Sequence, residues 1–272
     1  MMKVLFLGDV VGRAGRDAVA RYLPELRGKH SPDLVLINGE NAAGGFGINA
    51  AIADDFYELG VDCITTGNHA FAQKNYELYN ESKRLLRPLN YPESTPGTGF
   101  TVLELASGKQ VMIVNLMGRV FMDTLDDPFK AIDQLIKKYS MGMQISSIIV
   151  DFHAETTSEK QAMGHYLDGR VSAVLGTHTH VQTGDHRILR HGTAYMTDLG
   201  MCGDYDSVIG MEKEIPIKKL VSKLPTERFK PAMGEGSIAG AYFEIDSQTG
   251  LGKSIQAIRM GPWLENRSKT SA

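Results

Sequence analysis

Short apolar runs in this chain repeatedly end in polar clusters made of metal-ligand residue types. Val4 to Leu7 runs into Gly8-Asp9, Asp33 to Ile37 into Asn38-Gly39-Glu40-Asn41, and Val61 to Thr65 into Gly67-Asn68-His69. His153 follows Ile148-Ile149-Val150, and the run GTHTHVQ at Gly176 to Gln182 follows Val174-Leu175. Apolar runs of this length read as strands buried on both faces. A residue just past the carboxyl end of such a strand lies where open α/β sheets take their ligands. The pattern therefore places Asp9, Glu40, Asn41, Asn68, His69, His153, His178 and His180 at one rim of one sheet. Oxygen and imidazole donors arriving from separate strands are what a two-metal hydrolytic site needs.

Between the runs the spacing is helical. Apolar positions at Val19, Tyr22, Leu23 and Leu26 predict a helix over 13–27, which Pro24 should kink or shorten. Asn49 can cap a helix to Leu59, which Gly60 ends, and another helix is expected over 72–82. This alternation implies parallel strands with right-handed crossovers. After an irregular stretch at 88–99, Phe100 to Leu105 and Gln110 to Leu116 read as a hairpin. An amphipathic helix over 127–139, strands at 147–150 and 171–175, and a helix over 158–167 follow. Further strands in hairpin style are expected at 187–189, 193–196, 239–245 and 253–259. Residues 204–231 lack periodicity and read as a cap or loop. All of this fits one domain over 1–263 with a polar tail at 264–272. Two packed sheets covered by helices would use every element.

Composition excludes some functions. A net charge of −3 over 272 residues offers no basic field for duplex DNA. No run approaches the roughly 20 apolar residues of a membrane span, and Val4 to Leu7 is too short for a signal-peptide core. The two cysteines, Cys63 and Cys202, make no disulfide framework. These features point to the cytoplasm, with Cys63 a buried strand thiol.

Taken singly, most clusters have plainer readings. Asp9 alone would be a helix cap or turn carboxylate, and Asn68 a cap with His69 on the surface. Glu40 is harder to place, because Glu is poor turn material and a buried carboxylate needs a partner. In extended chain, His178 and His180 point to the same side, toward one metal or one each of two neighbours. The plainer alternative is a pair of loop histidines. Glu155 either orients an imidazole or begins the next helix. His30, His165, His186 and His191 lack the strand-end context and read as surface or packing residues.

The ordered set GDVVG, NGEN, TTGNH, DFHAE, GTHTHVQTGD and MTDLGMCG resembles the calcineurin-like metallophosphoesterases, and within them the YmdB-like phosphodiesterases. The resemblance covers almost the whole chain. It implies an α/β fold, a four-layer α/β/β/α sandwich, with a dinuclear metal centre at the sheet edge. It implies that Asp9, Glu40, Asn41 and His180 hold one metal, and that Glu40 bridges to a second completed by Asn68, His153 and His178. His69 would be the general acid. Val11 stands where most of the superfamily has a histidine, and Glu40 where most have a bridging aspartate. Both departures are shared by the YmdB-like branch.

The implied cofactors are two divalent or mixed-valence metal ions, iron first, with manganese, zinc or cobalt also compatible. The implied substrate is a small phosphodiester or cyclic nucleotide, 2′,3′-cyclic or 3′,5′-cyclic. The implied assembly is a homo-oligomer, dimer or tetramer. Two cations balanced only by Asp9 and Glu40 would leave positive charge to attract phosphate and to sharpen a bridging water into an attacking hydroxide. Neutral Asn41 and Asn68 would add oxygen without cancelling charge. Three other readings compete. One is a capsule-type relative serving envelope polymers, which the missing export signal disfavours. The others are a metal-holding regulatory or binding module with little catalysis, and a mononuclear zinc hydrolase.

Overall fold

The computed structural model describes residues 1–139, 141–142 and 144–264. From residue 265 on, the expected polar tail lies outside the described residues.

The first sheet forms around β1 (Met2–Val10), whose core residues Val4 to Leu7 are all fully buried. It pairs in parallel with β2 (Leu34–Asn38), which pairs in parallel with β3 (Cys63–Thr65). Helices α1 (Gly12–His30) and α2 (Ala50–Glu58) make the crossovers. Asn49 caps α2 by accepting from the Ile52 amide, as its residue type predicts. Helix α1 runs past Pro24 to His30 rather than stopping there. Pro24 and Ala20 flank the same turn, and Ala20 is exposed, so the carbonyl that loses its partner four residues back is solvated. The helix expected over 72–82 is shorter, α3 (Tyr76–Glu81), because the chain first turns at Lys74 with φ 56°.

The second sheet begins with the expected hairpin, β4 (Phe100–Glu104) and β5 (Gln110–Met117). After α4 (Pro128–Ile136) comes β6 (Ser147–His153), then α5 (Thr157–Tyr166) and β7 (Ala173–Thr177). Strands β5, β6 and β7 are parallel to one another. The strands β8 (Arg187–Ile188) and β9 (Ala194–Met196) form a hairpin, but β9 also runs parallel to β7. The order is β4-β5-β6-β7-β9-β8.

The chain then returns to the first sheet. The two-residue β10 (Met201–Cys202) pairs in parallel with the end of β1, and is too short to carry a periodic signal. Residues 204–231 contain α6 (Glu214–Ser222), a short amphipathic helix where the sequence predicts only a cap or loop. Strands β11 (Ile238–Ile245) and β12 (Gly252–Met260) complete the order β12-β11-β1-β2-β3.

Period-two alternation builds the layers. Val4, Phe6, Leu36 and Phe243 face Ile113, Ile149 and Leu175 of the other sheet. Leu5, Leu7 and Ile37 face outward against Leu23 and Leu26 of α1 and Phe56 of α2. On the far side, Met112, Ile148 and Val150 pack under Ile132 of α4 and Met163 of α5. Burying each such side chain contributes roughly 1.5–3 kcal/mol. The result is the four-layer α/β/β/α sandwich. Cys63 is buried at the sheet interface, and burial pushes its thiol pKa up.

Candidate metal centre

The expected donors converge, but not at one sheet. Asp9, Glu40, Asn41, Asn68 and His69 come from the carboxyl ends of β1, β2 and β3, and His153, His178 and His180 from β6 and β7. The single-sheet expectation is corrected by the topology: both sheets point parallel strands at a common edge, and the site straddles their seam.

His153 is the hub. Its Nε2 lies 3.1 Å from Glu40 Oε1, 3.0 Å from Asn68 Oδ1 and 3.1 Å from His178 Nδ1. Donor atoms of Glu40, His153 and His178 all fall within 4.8 Å of one another. Around an ion with ligands at about 2.1 Å, adjacent donors sit about 3.0 to 3.4 Å apart, so the separations of 3.0 and 3.1 Å from His153 Nε2 suit one coordination shell. Asp9 completes a neighbouring group, with Oδ1 3.9 Å from His180 Nε2 and 3.8 Å from His153 Nδ1.

The ring orientations fit metal ligation. Each of three imidazoles has one nitrogen anchored and the other turned inward. His153 Nδ1 meets Thr177 Oγ1 at 2.9 Å, and that hydroxyl donates to Asp151 Oδ1. His178 Nε2 meets Glu155 Oε2 at 2.9 Å. His180 Nδ1 meets the Ile209 carbonyl at 2.8 Å. Carboxylate or carbonyl partners of this kind fix the tautomer of a metal-bound histidine. Glu155 thus orients an imidazole, and Thr156 caps α5.

Two buried oxygens carry the fit further. Asp9 Oδ1 and Asn41 Oδ1 make no hydrogen bond among the described residues. Their other atoms are spent: Asp9 Oδ2 accepts from the His178 amide, and Asn41 Nδ2 donates to the Gly45 carbonyl. A buried polar atom without a partner is costly, and a cation held in this site would supply one to each.

Electrostatics call for positive charge here. Burial raises Asp9 to about 6, against the pull of His180 and His153. Burial also works against ionised Glu40, but His153 outweighs it and holds Glu40 at about 2. For His153 burial opposes the charged ring, yet Glu40, Asp9 and Asp151 lift it to about 9. A proton on Nε2 facing Glu40 Oε1 meets this need, and a divalent ion held by this group would meet it as well. Burial pushes His178 down to about 3, leaving a neutral ring with a lone pair to give.

His69 stands beside the donors. Its amide donates to Glu40 Oε2, its Nε2 lies 3.2 Å from Asn68 Nδ2, and its ring meets Phe46 edge-on at 5.1 Å. Arg228 from the 204–231 segment lies over the same Phe46 ring, 5.0 Å from its centroid. Val11, Met201 and Met211 pack with Phe46, Tyr205 and Phe229, seating that segment beside the centre as a cap.

Extended chain does not bring the paired histidines together. His178 has φ 99° and His180 φ 62°, so a tight turn splays the two rings, one toward His153 and one toward Asp9. Non-glycine residues held there cost about 1–3 kcal/mol each and persist where surroundings over-determine them. Gly67 is a second backbone requirement: a Cβ there would overlap the His153 ring and the Glu40 carboxylate.

Sequence reasoning misses Asp151, Thr177, Asp198, Lys160 and Ile209. Asp151 does carry a signal, a carboxylate following an apolar run with no turn residue beside it. Lys160 and Ile209 carry none, since the first reads as a surface helix lysine and the second acts through its carbonyl.

An α/β/β/α sandwich with histidine, carboxylate and amide donors at its seam defines a metallophosphoesterase-type hydrolase. The model of the YmdB-like protein family matches residues 5–258, and the chain belongs to that family. It is 47% identical over 258 residues to the 2′,3′-cyclic-nucleotide 2′-phosphodiesterase of Bacillus subtilis (strain 168), covering 94% of this chain and 96% of that one. The solved structure of a hypothetical protein from Thermus thermophilus has TM-score 0.88 and 43% identity, covering 95% of this chain and 99% of that one. A phosphatase structure from Mycoplasma pneumoniae has TM-score 0.89 and 39% identity, covering 95% of this chain and 93% of that one. The chain is a metal-binding enzyme that hydrolyses phosphate esters.

Proposed function

We propose that this chain is a phosphodiesterase for small cyclic nucleotides, with the 2′,3′-cyclic class as substrate and two bound cations. The convergence on His153 carries this reading: three imidazoles each turn one anchored ring toward Glu40, Asn68 and Asp9. Asp9, Asn41 and His180 would hold one cation, Asn68, His153 and His178 a second, with Glu40 between them. The donor set would accept iron, manganese, zinc or cobalt, and the family resemblance puts iron first. Bound cations supply Lewis acidity toward phosphate and water.

The chain's residues do the rest. Glu40 and Asp9 set the net charge, and the two asparagines add oxygen without adding more. His69 sits next to Asn68 at the open side, where it hands a proton to the departing ribose oxygen. Phe46 and Arg228 wall that side and receive the nucleoside. The chain associates as a homodimer or homotetramer, which light scattering reads directly.

The test is an assay of metal-loaded protein against 2′,3′-cyclic and 3′,5′-cyclic nucleotides, linear dinucleotides and short RNA. The expected product from a 2′,3′-cyclic nucleotide is the 3′-phosphate, from cleavage at the 2′ oxygen. No turnover of any diester with two equivalents of metal bound would leave a metal-holding binding module instead.

A further inference from the structure

The turn that carries His178 and His180 rests on a buried ion pair outside the donor set. Lys160 on α5 and Asp198 after β9 are both buried, and Lys160 Nζ lies 2.6 Å from Asp198 Oδ2. That oxygen also accepts from the amide and the hydroxyl of Thr179, at 3.1 and 2.7 Å. Thr179 is the residue between the two histidines. Asp198 Oδ1 accepts from the Gly200 amide at 2.8 Å, and the Gly200 carbonyl accepts from the Asp9 amide at 3.1 Å. One carboxylate therefore reaches α5, the histidine turn and the strand end that bears Asp9.

Stability alone is a poor reason for this arrangement. Taking both charges out of water costs free energy that the attraction between them often fails to repay, and apolar replacements are frequently as stable. What Asp198 supplies is direction. Both histidines adopt positive φ, and such a turn relaxes unless its central residue is held. Thr179 is held by two hydrogen bonds to a single carboxylate oxygen, and Lys160 Nζ, 2.6 Å away, fixes that oxygen in place. Close packing leaves no slack nearby, since a Cβ on Gly176 would strike the Thr197 carbonyl.

We infer that Asp198 and Lys160 are positioning residues for the metal centre. They act through Thr179 to hold His178 and His180 in a strained turn shaped for ligation. This rests on the reading that His178 and His180 bind cations.

The test is cobalt(II) titration of the full chain stripped of metal, followed by calorimetry and by the visible absorption of the bound ion. Thr179→Val keeps the side-chain shape but loses the hydroxyl, and Thr179→Ser keeps the hydroxyl. The expected result is wild-type affinity and spectrum for Thr179→Ser, and affinity weaker by about 10- to 100-fold with an altered cobalt band for Thr179→Val. Asp198→Asn should show the same loss, and adding Lys160→Met to it should restore part of the binding, because the buried lysine no longer lacks a counter-charge. If Asp198→Asn does not fold, Thr179→Val decides alone. Wild-type isotherms and spectra in Thr179→Val would overturn the inference, even with a lower melting temperature. A wild-type chain that takes up no cobalt, or does so equally well with His178→Ala, would instead sink the ligand assignment.

Discussion

His69 and its neighbours separate two jobs that adjoining residues do. His69 Nε2 meets Asn68 Nδ2 rather than the Glu40, His153 and His178 donor atoms, whereas His178 Nδ1 meets His153 Nε2 and Asp9 accepts from the His178 amide. His69→Ala should keep its metal and lose about 10²- to 10⁴-fold in turnover on substrates with poor leaving groups, as expected for a lost general acid. Asp9→Ala and His178→Ala should lose metal and activity together. Elemental analysis beside steady-state kinetics reads both, and unchanged turnover of His69→Ala on an alkyl leaving group would remove it from the reaction. Gly67 makes a sharper claim at this scale. Gly67→Ala puts a methyl group into the space of the His153 ring and the Glu40 carboxylate, so metal content should fall although no ligand is changed. Glu40 is legible in the sequence because nothing local excuses a carboxylate there. Gly67 looks like an ordinary turn glycine, and only the facing strand from the other sheet reveals its constraint.

Among the elements, the cap over 204–231 couples most directly to the centre. Its Ile209 carbonyl anchors His180, and the next residue, Gly210, has φ 90° and a Cβ position 2.7 Å from Val11 Cγ1. Gly210→Ala should lift the cap from Val11, draw the Ile209 carbonyl off His180 and lower metal occupancy, with little change in far-ultraviolet circular dichroism. Full occupancy in that variant would show that His180 is held without the cap. The cap is opaque in the sequence because its links to the site use a backbone carbonyl and small apolar contacts, and neither has a residue-type signature. The strands are legible because burial on both faces forces unbroken apolar runs. Helix α1 outruns its sequence expectation at Pro24 because the penalty of a proline depends on which carbonyl it orphans, and here that carbonyl faces water.

On the scale of the whole molecule, the two sheets act as halves of one site. Phe6, on the strand that carries Asp9, points into the layer between them. Phe6→Ala should cost about 3–5 kcal/mol in denaturant unfolding, and metal affinity should fall with it as the sheets lose their mutual register. Chelation should act in the reverse direction. Metal at about a hundred times its dissociation constant stabilises by about 2.7 kcal/mol, so stripping it should lower the melting temperature of the wild-type chain. A melting temperature indifferent to chelator would mean that the donors bind no ion of consequence.

The apolar runs and the polar residues that end them determine which side chains meet, because a strand's carboxyl end is a position that local sequence can declare. The four-layer arrangement is likewise implied by the motif set. Tertiary structure alone decides that the site spans two sheets, that the paired histidines diverge from a strained turn, and that Asp151, Asp198 and Lys160 support them from within. The physical reason is range. Strand formation and burial are read from a few neighbouring residues, whereas the contacts that orient these rings join positions far apart in the chain, such as His178 with Asp9 and Lys160 with Asp198.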